Sequence, residues 1–132
     1  MKIRELQPSD TKQVIDIWTS SFSRNFNNTL NAGYINDPNS TTMVVCEGST
    51  IIGVASIHII YKLSRTLGLI EDVAVDKDHR GKGVGKSLVE KLIEIGKQKN
   101  CDKIVLNTSV KNSKFYEKIG FEKNEIQMVI RN

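Results

Sequence analysis

Seven consecutive residues, Arg80-Gly81-Lys82-Gly83-Val84-Gly85-Lys86, hold the densest chemistry in this 132-residue chain. Three glycines in five positions let the backbone approach a ligand without Cβ clashes. From Val84 the apolar residues fall at 84, 88, 92 and 95, which is one face of a helix. A helix start offers unpaired N–H groups and about half a positive charge. With Arg80, Lys82 and Lys86 around it, this becomes an anion seat suited to a phosphate or pyrophosphate. Neither familiar phosphate fingerprint is complete. The P-loop needs glycine where Arg80 stands, although Gly85-Lys86-Ser87 supplies its end, and the dinucleotide fingerprint needs a third glycine where Lys86 stands. The plainer reading is a glycine-rich turn with no ligand; the convergence of three cations on one helix start argues against it.

Glu71-Asp72 precedes that loop within an apolar, β-branched run. Adjacent residues on a strand face opposite sides, so one carboxylate of the two can face a given surface. Tyr116 carries a phenol that stays protonated at neutral pH and can donate a proton. Cys46 and Cys101 lie far apart, and His58 and His79 are isolated, so no metal site is expected. Net charge is +4 and pI about 9.1, which suits an anionic ligand. The lysines are scattered among acids, and no basic stripe interleaved with aromatics speaks for nucleic acid. The longest apolar run, Ile51 to Ile60, is too short for a bilayer and contains Gly53, Ser56 and His58. The first residues show no apolar segment of a signal peptide, so a cytoplasmic protein with reduced thiols is expected. The length suits one domain spanning 1–132.

The elements that must position these residues follow from pattern. Met1 to Leu6 alternates as a short strand. Pro8, Ser9 and Asp10 mark a helix start, and residues 10–23 place Val14, Ile17, Trp18 and Ser21 or Phe22 on one face. Trp18 reads either as core packing or as a pocket wall. Residues 23–40 lack periodicity and read as a loop, or a short helix within one, that could recognise substrate. Thr41 to Glu47 and Thr50 to Tyr61 form a hairpin across Gly48-Ser49, residues 62–68 turn, and a strand covers 69–75. After the helix from Val84, ending near residues 97–100, a strand lies within 102–107. Strand, helix and strand make a parallel unit whose strands splay beyond their C-terminal ends, where ligands bind in such sheets. Residues 111–120 read as a helix capped by Asn112 or Ser113 and ended by Gly120. Glu125 to Arg131 alternates, with Ile126, Met128 and Ile130 on one side, as a last strand. The fold class is α/β (α+β): a mixed, mostly antiparallel sheet flanked by helices, in the order β-α-β-β-β-α-β-α-β, with the fourth and fifth strands parallel.

Arg80, Gly83 and Gly85 fit the pattern [RQ]-x-x-G-x-[GA], and Phe115 to Phe121 reads FYEKIGF. In these motifs and in its element order the chain resembles the GNAT superfamily of acetyl-CoA-dependent N-acetyltransferases. The resemblance implies that residues 80–86 wrap the coenzyme A pyrophosphate, that Val73, Ala74 and Val75 pair with the pantetheine arm, and that Asn112 hydrogen-bonds the cofactor. It also implies that Tyr116 sits by the thioester sulfur, with Phe115 as the apolar anchor beside it, and that a backbone N–H within Val73 to Val75 holds the oxyanion.

Acetyl transfer to an amine needs a base or water relay for the amine proton, oxyanion stabilisation, and a proton for the leaving thiolate. Glu71 is the candidate base and Tyr116 the candidate acid. The short Asn112-Ser-Lys-Phe115 connection, IEDVAVD, and Cys-x-Lys-Ile at 101–104 are similar to family members that acetylate glucosamine 6-phosphate. That similarity implies sugar contacts from Glu71 and Asp72 and a phosphate contact from Arg131. A protein or peptide amine is the alternative acceptor, and a non-catalytic acetyl-CoA sensor the alternative role. By analogy with small members of the family, two copies are expected to pair.

Overall fold

A computed structural model of the chain describes residues 1–23 and 31–132. One five-stranded sheet runs in sequence order: β1 (Lys2–Glu5), β2 (Ser40–Glu47), β3 (Thr50–Tyr61), β4 (Thr66–Val75) and β5 (Lys103–Leu106). The first three pairings are antiparallel; β4 and β5 run parallel. The helices are α1 (Thr11–Phe22), α2 (Ala32–Ile35), α3 (Val84–Gln98) and α4 (Val110–Ile119). The mixed sheet and the parallel β4–β5 pair are as the sequence implies.

The sheet is apolar on both faces, and each face takes its own helices. Val84, Leu88, Val89 and Leu92 of α3 pack with Met43, Val45, Ile52, Ile57 and Ile70, and α4 adds Tyr116 and Ile119 to the same side. Val14 and Ile17 of α1 pack on the other face with Val44, Val54 and Ala74. Helix and sheet approach closely at two glycines. A Cβ at Gly53 would stand 2.7 Å from Val84 Cγ1, and one at Gly96 would stand 2.7 Å from Ile104 Cδ1. No helix among the described residues is long and apolar enough to cross a membrane.

α1 is entered through a short turn at Pro8–Asp10. Asp10, only 4% exposed, accepts from both Arg4 guanidinium nitrogens at 2.7 and 2.9 Å and from the Gln7 N–H at 2.7 Å. Chiefly the Arg4 contact, and then the Gln7 N–H, hold its carboxyl below the usual value, against desolvation. A lowered folded-state pKa stabilises above the unfolded value and is lost as pH falls through the folded one. Urea midpoints are therefore expected to drop on acidification below about pH 4, and Asp10→Asn to flatten that drop. An equal acid slope in the variant would remove Asp10 from the account.

Three boundaries differ from expectation. The turn after β3 is only residues 62–65, closed by the Lys62 N–H to the Arg65 carbonyl at 2.8 Å. Thr66 to Gly68 joins β4 because Tyr61, Ile60 and Ile59 of β3 offer ladder partners to all three, and β5 adds Lys103 and Ile104 opposite Leu67 and Gly68. The cap of α4 is Ser109, whose Oγ accepts from the Asn112 N–H at 3.3 Å; neither Asn112 nor Ser113 caps it. The strand expected at Glu125–Arg131 does not form: residues 121–132 carry no regular structure, and Ile126, Met128 and Ile130 are 89, 90 and 98% exposed. Alternation specifies a face, but a strand also needs a neighbour for its N–H and C=O groups. Of the loop expected at 23–40, Ser23 ends α1 in a left-handed conformation, α2 is the short helix, and residues 24–30 lie outside the described residues.

Candidate active site

The parallel ladder between β4 and β5 runs from Leu67↔Lys103 to Ile70↔Leu106 and stops there. β5 ends at Leu106, while β4 continues for five residues, Glu71 to Val75. This stretch keeps β3 on one edge and has no β5 partner on the other. Val73, Ala74 and Val75 lie on it.

A bulge lies within the same stretch. The β3 register passes from Val54↔Ala74 to Ser56↔Glu71, so two steps on β3 match three on β4. Asp72 takes up the extra residue at φ +59°, a left-handed conformation that aspartate tolerates better than most residues. Trp18 Nε1 donates to the Asp72 carbonyl at 3.2 Å, tying α1 to the bulge. Trp18 thus both packs on the α1-side core and holds the site. The bulge puts Glu71 on the α1 face in line with Ala74. Glu71 is half-buried and Asp72 exposed, so the pair divides as adjacent strand residues must.

After β4, Asp76 accepts from His79 Nδ1 at 2.7 Å and shapes a short turn at Lys77–His79. Gly81 and Gly83 then adopt φ +77° and +83°, where a Cβ would be strained. The first helical bond of α3 runs from the Ser87 N–H to the Gly83 carbonyl at 3.0 Å. The N–H groups of Gly83, Val84, Gly85 and Lys86 are therefore the donors a helix start leaves unpaired within itself. Lys82 and Lys86 are exposed beside them. Arg80 is turned back: its Nε donates to the Val75 carbonyl at 3.1 Å and its Nη2 to Ser21 Oγ at 3.3 Å. Arg80 thus clamps the loop to β4 and α1.

Gly85 brings three elements together. A Cβ there would stand 3.3 Å from Phe115 Cζ of α4 and 3.5 Å from Val75 Cγ2 of β4. Next to Phe115, Tyr116 sits edge-to-face against both Phe115 and Phe121, with ring centroids 4.9 and 6.0 Å apart. Burial raises its hydroxyl above the usual value, so it remains a neutral phenol. The sequence expectation made Phe115 the apolar anchor. The structure reverses this: Tyr116 packs on the core with Ile119, and Phe115 is 40% exposed. Ser113, Tyr116 and Ile119 share the buried stripe at i, i+3 spacing, and Phe115 lies off it. Asn112 is exposed on the first turn of α4. Arg131 is exposed and makes no hydrogen bond or ion pair with the described residues.

Polar residues that sequence reasoning passed over line the sheet beside Glu71, under α2. Thr42 Oγ1 and Ser56 Oγ are 2.6 Å apart and buried. Ser56 is the ladder partner of both Thr42 and Glu71. One row on, Ser40 Oγ lies 2.9 Å from His58 Nδ1 and 2.9 Å from Asp37 Oδ2. Tyr34 meets His58 edge-to-face at 5.8 Å, and its buried hydroxyl has no hydrogen-bond partner. The available signal was Ser56 and His58, two apart in an otherwise apolar strand. Desolvation first, and then the Asp72 charge, raise the pKa of Glu71, with His58 opposing. Among the described residues no group of three or more His, Cys, Asp or Glu could hold a metal ion.

The geometry thus places the end of β4 beyond the β4–β5 ladder against a helix start rich in N–H donors, with a neutral phenol on the α3 side of the sheet and a carboxyl of raised pKa on the α1 side. A family model described as "Acetyltransferase (GNAT) family" matches residues 4–121. The chain is 46% identical over 92 residues to a glucosamine 6-phosphate N-acetyltransferase of Trypanosoma brucei brucei, covering 66% of this chain and 63% of that protein. It is 42% identical over 83 residues to glucosamine 6-phosphate N-acetyltransferase 1 of Dictyostelium discoideum, covering 61% of this chain and 53% of that protein. The matches thus span between about half and under two thirds of those relatives' own lengths. Among solved structures, an acetyltransferase from Trypanosoma brucei superposes with a TM-score of 0.86 at 33% identity, covering 99% of both chains. The glucosamine-6-phosphate N-acetyltransferase of Arabidopsis thaliana does so with a TM-score of 0.82 at 30% identity, covering 98% of this chain and 97% of that one.

Proposed function

We propose that this chain, which belongs to the GNAT family of acetyltransferases, moves an acetyl group from acetyl-CoA to the primary amine of a small molecule, an amino sugar phosphate such as glucosamine 6-phosphate. The observation that carries this is the meeting of the end of β4, beyond its ladder with β5, with the first turn of α3, where Gly85 lies against Val75. The pyrophosphate suits the N–H donors of residues 83–86 with Gly81, Lys82 and Lys86 around them. The pantetheine amides suit the edge of Val73 to Val75 beyond the β5 ladder, and Asn112, exposed on the first turn of α4, is the proposed side-chain partner of the cofactor. The names of the relatives support the sugar phosphate.

The proposed reaction is a direct transfer. Glu71 takes a proton from the ammonium group, and the amine nitrogen attacks the thioester carbonyl. A backbone N–H of Val73 to Val75 holds the oxyanion. The C–N bond forms, the C–S bond breaks, Tyr116 protonates the departing thiolate, and the second proton shed by the nitrogen passes through solvent to restore the Tyr116 phenol. Asp72 and Arg131 complete the acceptor contacts, with Arg131 on the phosphate. Cys46 and Cys101 are both free, which suits a reducing, cytoplasmic setting.

Thiol release from acetyl-CoA should appear with glucosamine 6-phosphate and not with free glucosamine. Turnover with free glucosamine, a polyamine or a peptide alone would replace the sugar phosphate as acceptor. Tyr116→Phe is expected to lower kcat by about 10–100-fold while leaving acetyl-CoA affinity intact; an unchanged kcat takes the phenol out of the mechanism.

A further inference from the structure

His58 lies one row from Glu71 on the same sheet face. Ser56 is the ladder partner of Glu71, and His58 is two residues further along β3. Such diagonal neighbours are within reach of long side chains or one bridging water. His58 is held from three sides. Ser40, its ladder partner on β2, meets Nδ1; Asp37 meets Ser40; and the Tyr34 ring closes on the imidazole edge-on.

The hydrogen count decides the tautomer. Ser40 has one hydroxyl proton, and it points to Asp37 Oδ2 at 2.9 Å. Ser40 Oγ can then only accept at its 2.9 Å contact with His58, so Nδ1 carries the ring proton. Nε2 is left as the basic nitrogen. Asp37 itself is fixed by the Asn39 N–H on its other oxygen at 2.8 Å. An Asp–Ser–His chain of this kind prepares an imidazole to accept a proton at Nε2 and to carry the resulting charge near a carboxylate.

Resting on the acetyltransferase reading above, we propose that His58, fixed by Ser40 and Asp37, relays the acceptor's proton from Glu71 to solvent. The acceptor ammonium protonates Glu71. Glu71 passes that proton to His58 Nε2, directly or through one water, and is a carboxylate again for the next turnover. The imidazolium donates from Nδ1 to Ser40, whose hydroxyl donates to Asp37. Being only half-buried, His58 then loses the Nε2 proton to water. The groups facing His58 are Tyr34 from α2, Asp37 from the turn before β2, Ser40 from β2, and Glu71 from β4, with Asp72 beyond it. His58 touches no reacting atom and is a positioning residue.

The test is the pH profile of kcat/KM with acetyl-CoA and glucosamine 6-phosphate. His58→Gln is expected to lower kcat about tenfold or more and to move the acid limb to lower pH, because activity no longer requires an unprotonated Nε2. Ser40→Ala should move the limb the same way by less. The KM for acetyl-CoA should stay as in the native chain, and imidazole in the buffer should restore part of the rate to His58→Ala. Imidazole 15N shifts, assigned with His79→Asn, should show the Nδ1–H tautomer in the native protein and its loss in Ser40→Ala. A native Nε2–H tautomer, or a native kcat and acid limb in His58→Gln, overturns the relay. Absence of turnover by the native chain with every amine is a different failure: it overturns the acetyltransferase reading, and the relay with it.

Discussion

Glu71→Gln is expected to lower kcat for acetyl transfer by about 10²–10⁴-fold, with little change in KM for acetyl-CoA. The substitution keeps the size of the side chain but removes the basic electron pair that the proposed reaction assigns to the acceptor's proton. The native rate should follow the carboxylate fraction. Desolvation first, and then Asp72, raise the Glu71 pKa, so the acid limb of the profile should lie above the ordinary glutamate range. The sign is that of a base: the reaction needs the ionised form, so the rate rises with pH through that raised value. The placement depends on the bulge. If Asp72 did not absorb an extra residue at φ +59°, Glu71 and Ala74 would face opposite sides of the sheet. A variant that keeps more than about a tenth of native kcat across the profile would leave the proton to water alone.

Leu88→Ala is expected to cost about 2–5 kcal/mol of stability, read as a lower urea midpoint at unchanged slope. Leu88 is fully buried on α3, against β3 where Gly53 leaves room; a Cβ at Gly53 would stand 3.0 Å from Leu88 Cδ1. Glycine there lets helix and sheet lie so close that the truncation leaves a void with little freedom to collapse. α3 also presents the anion seat, so a shift of its first turn should raise KM for acetyl-CoA in the same variant. A loss under about 1 kcal/mol would mean that the α3 face repacks freely.

Much of this was legible because it is local. Glycines at 81, 83 and 85 before a 3.6-residue apolar repeat specify a loop and a helix start wherever the chain goes. Asn-free hairpin chemistry at Gly48-Ser49 was equally plain, and the structure closes it with Glu47↔Thr50 and Gly48 at φ +63°. Less legible were properties that need a partner. Thr66 to Gly68 read as turn because their ladder partners, Tyr61 to Ile59 on β3 and Lys103 and Ile104 on β5, come from strand pairing and not from local residue type. Tyr116 and Phe115 exchanged roles because which of two adjacent aromatics faces inward depends on how α4 is rolled against the core.

The sequence by itself determined the family, the alternation of strands and helices as far as α4, the glycine loop ahead of a helix and the acidic pair, since each rests on residue types at short spacing. The tertiary structure alone decided which carboxylate turns inward, because a bulge resets strand alternation. It also decided that Arg80 clamps the loop, and that Tyr34, Asp37, Ser40, Ser56 and His58 gather beside Glu71. Ladder pairing brings together residues that the sequence holds more than ten positions apart, and no local pattern records which strand will lie beside which. The same physics leaves residues 121–132 without a strand: alternation is written in the chain, but a strand exists only where another offers its hydrogen bonds.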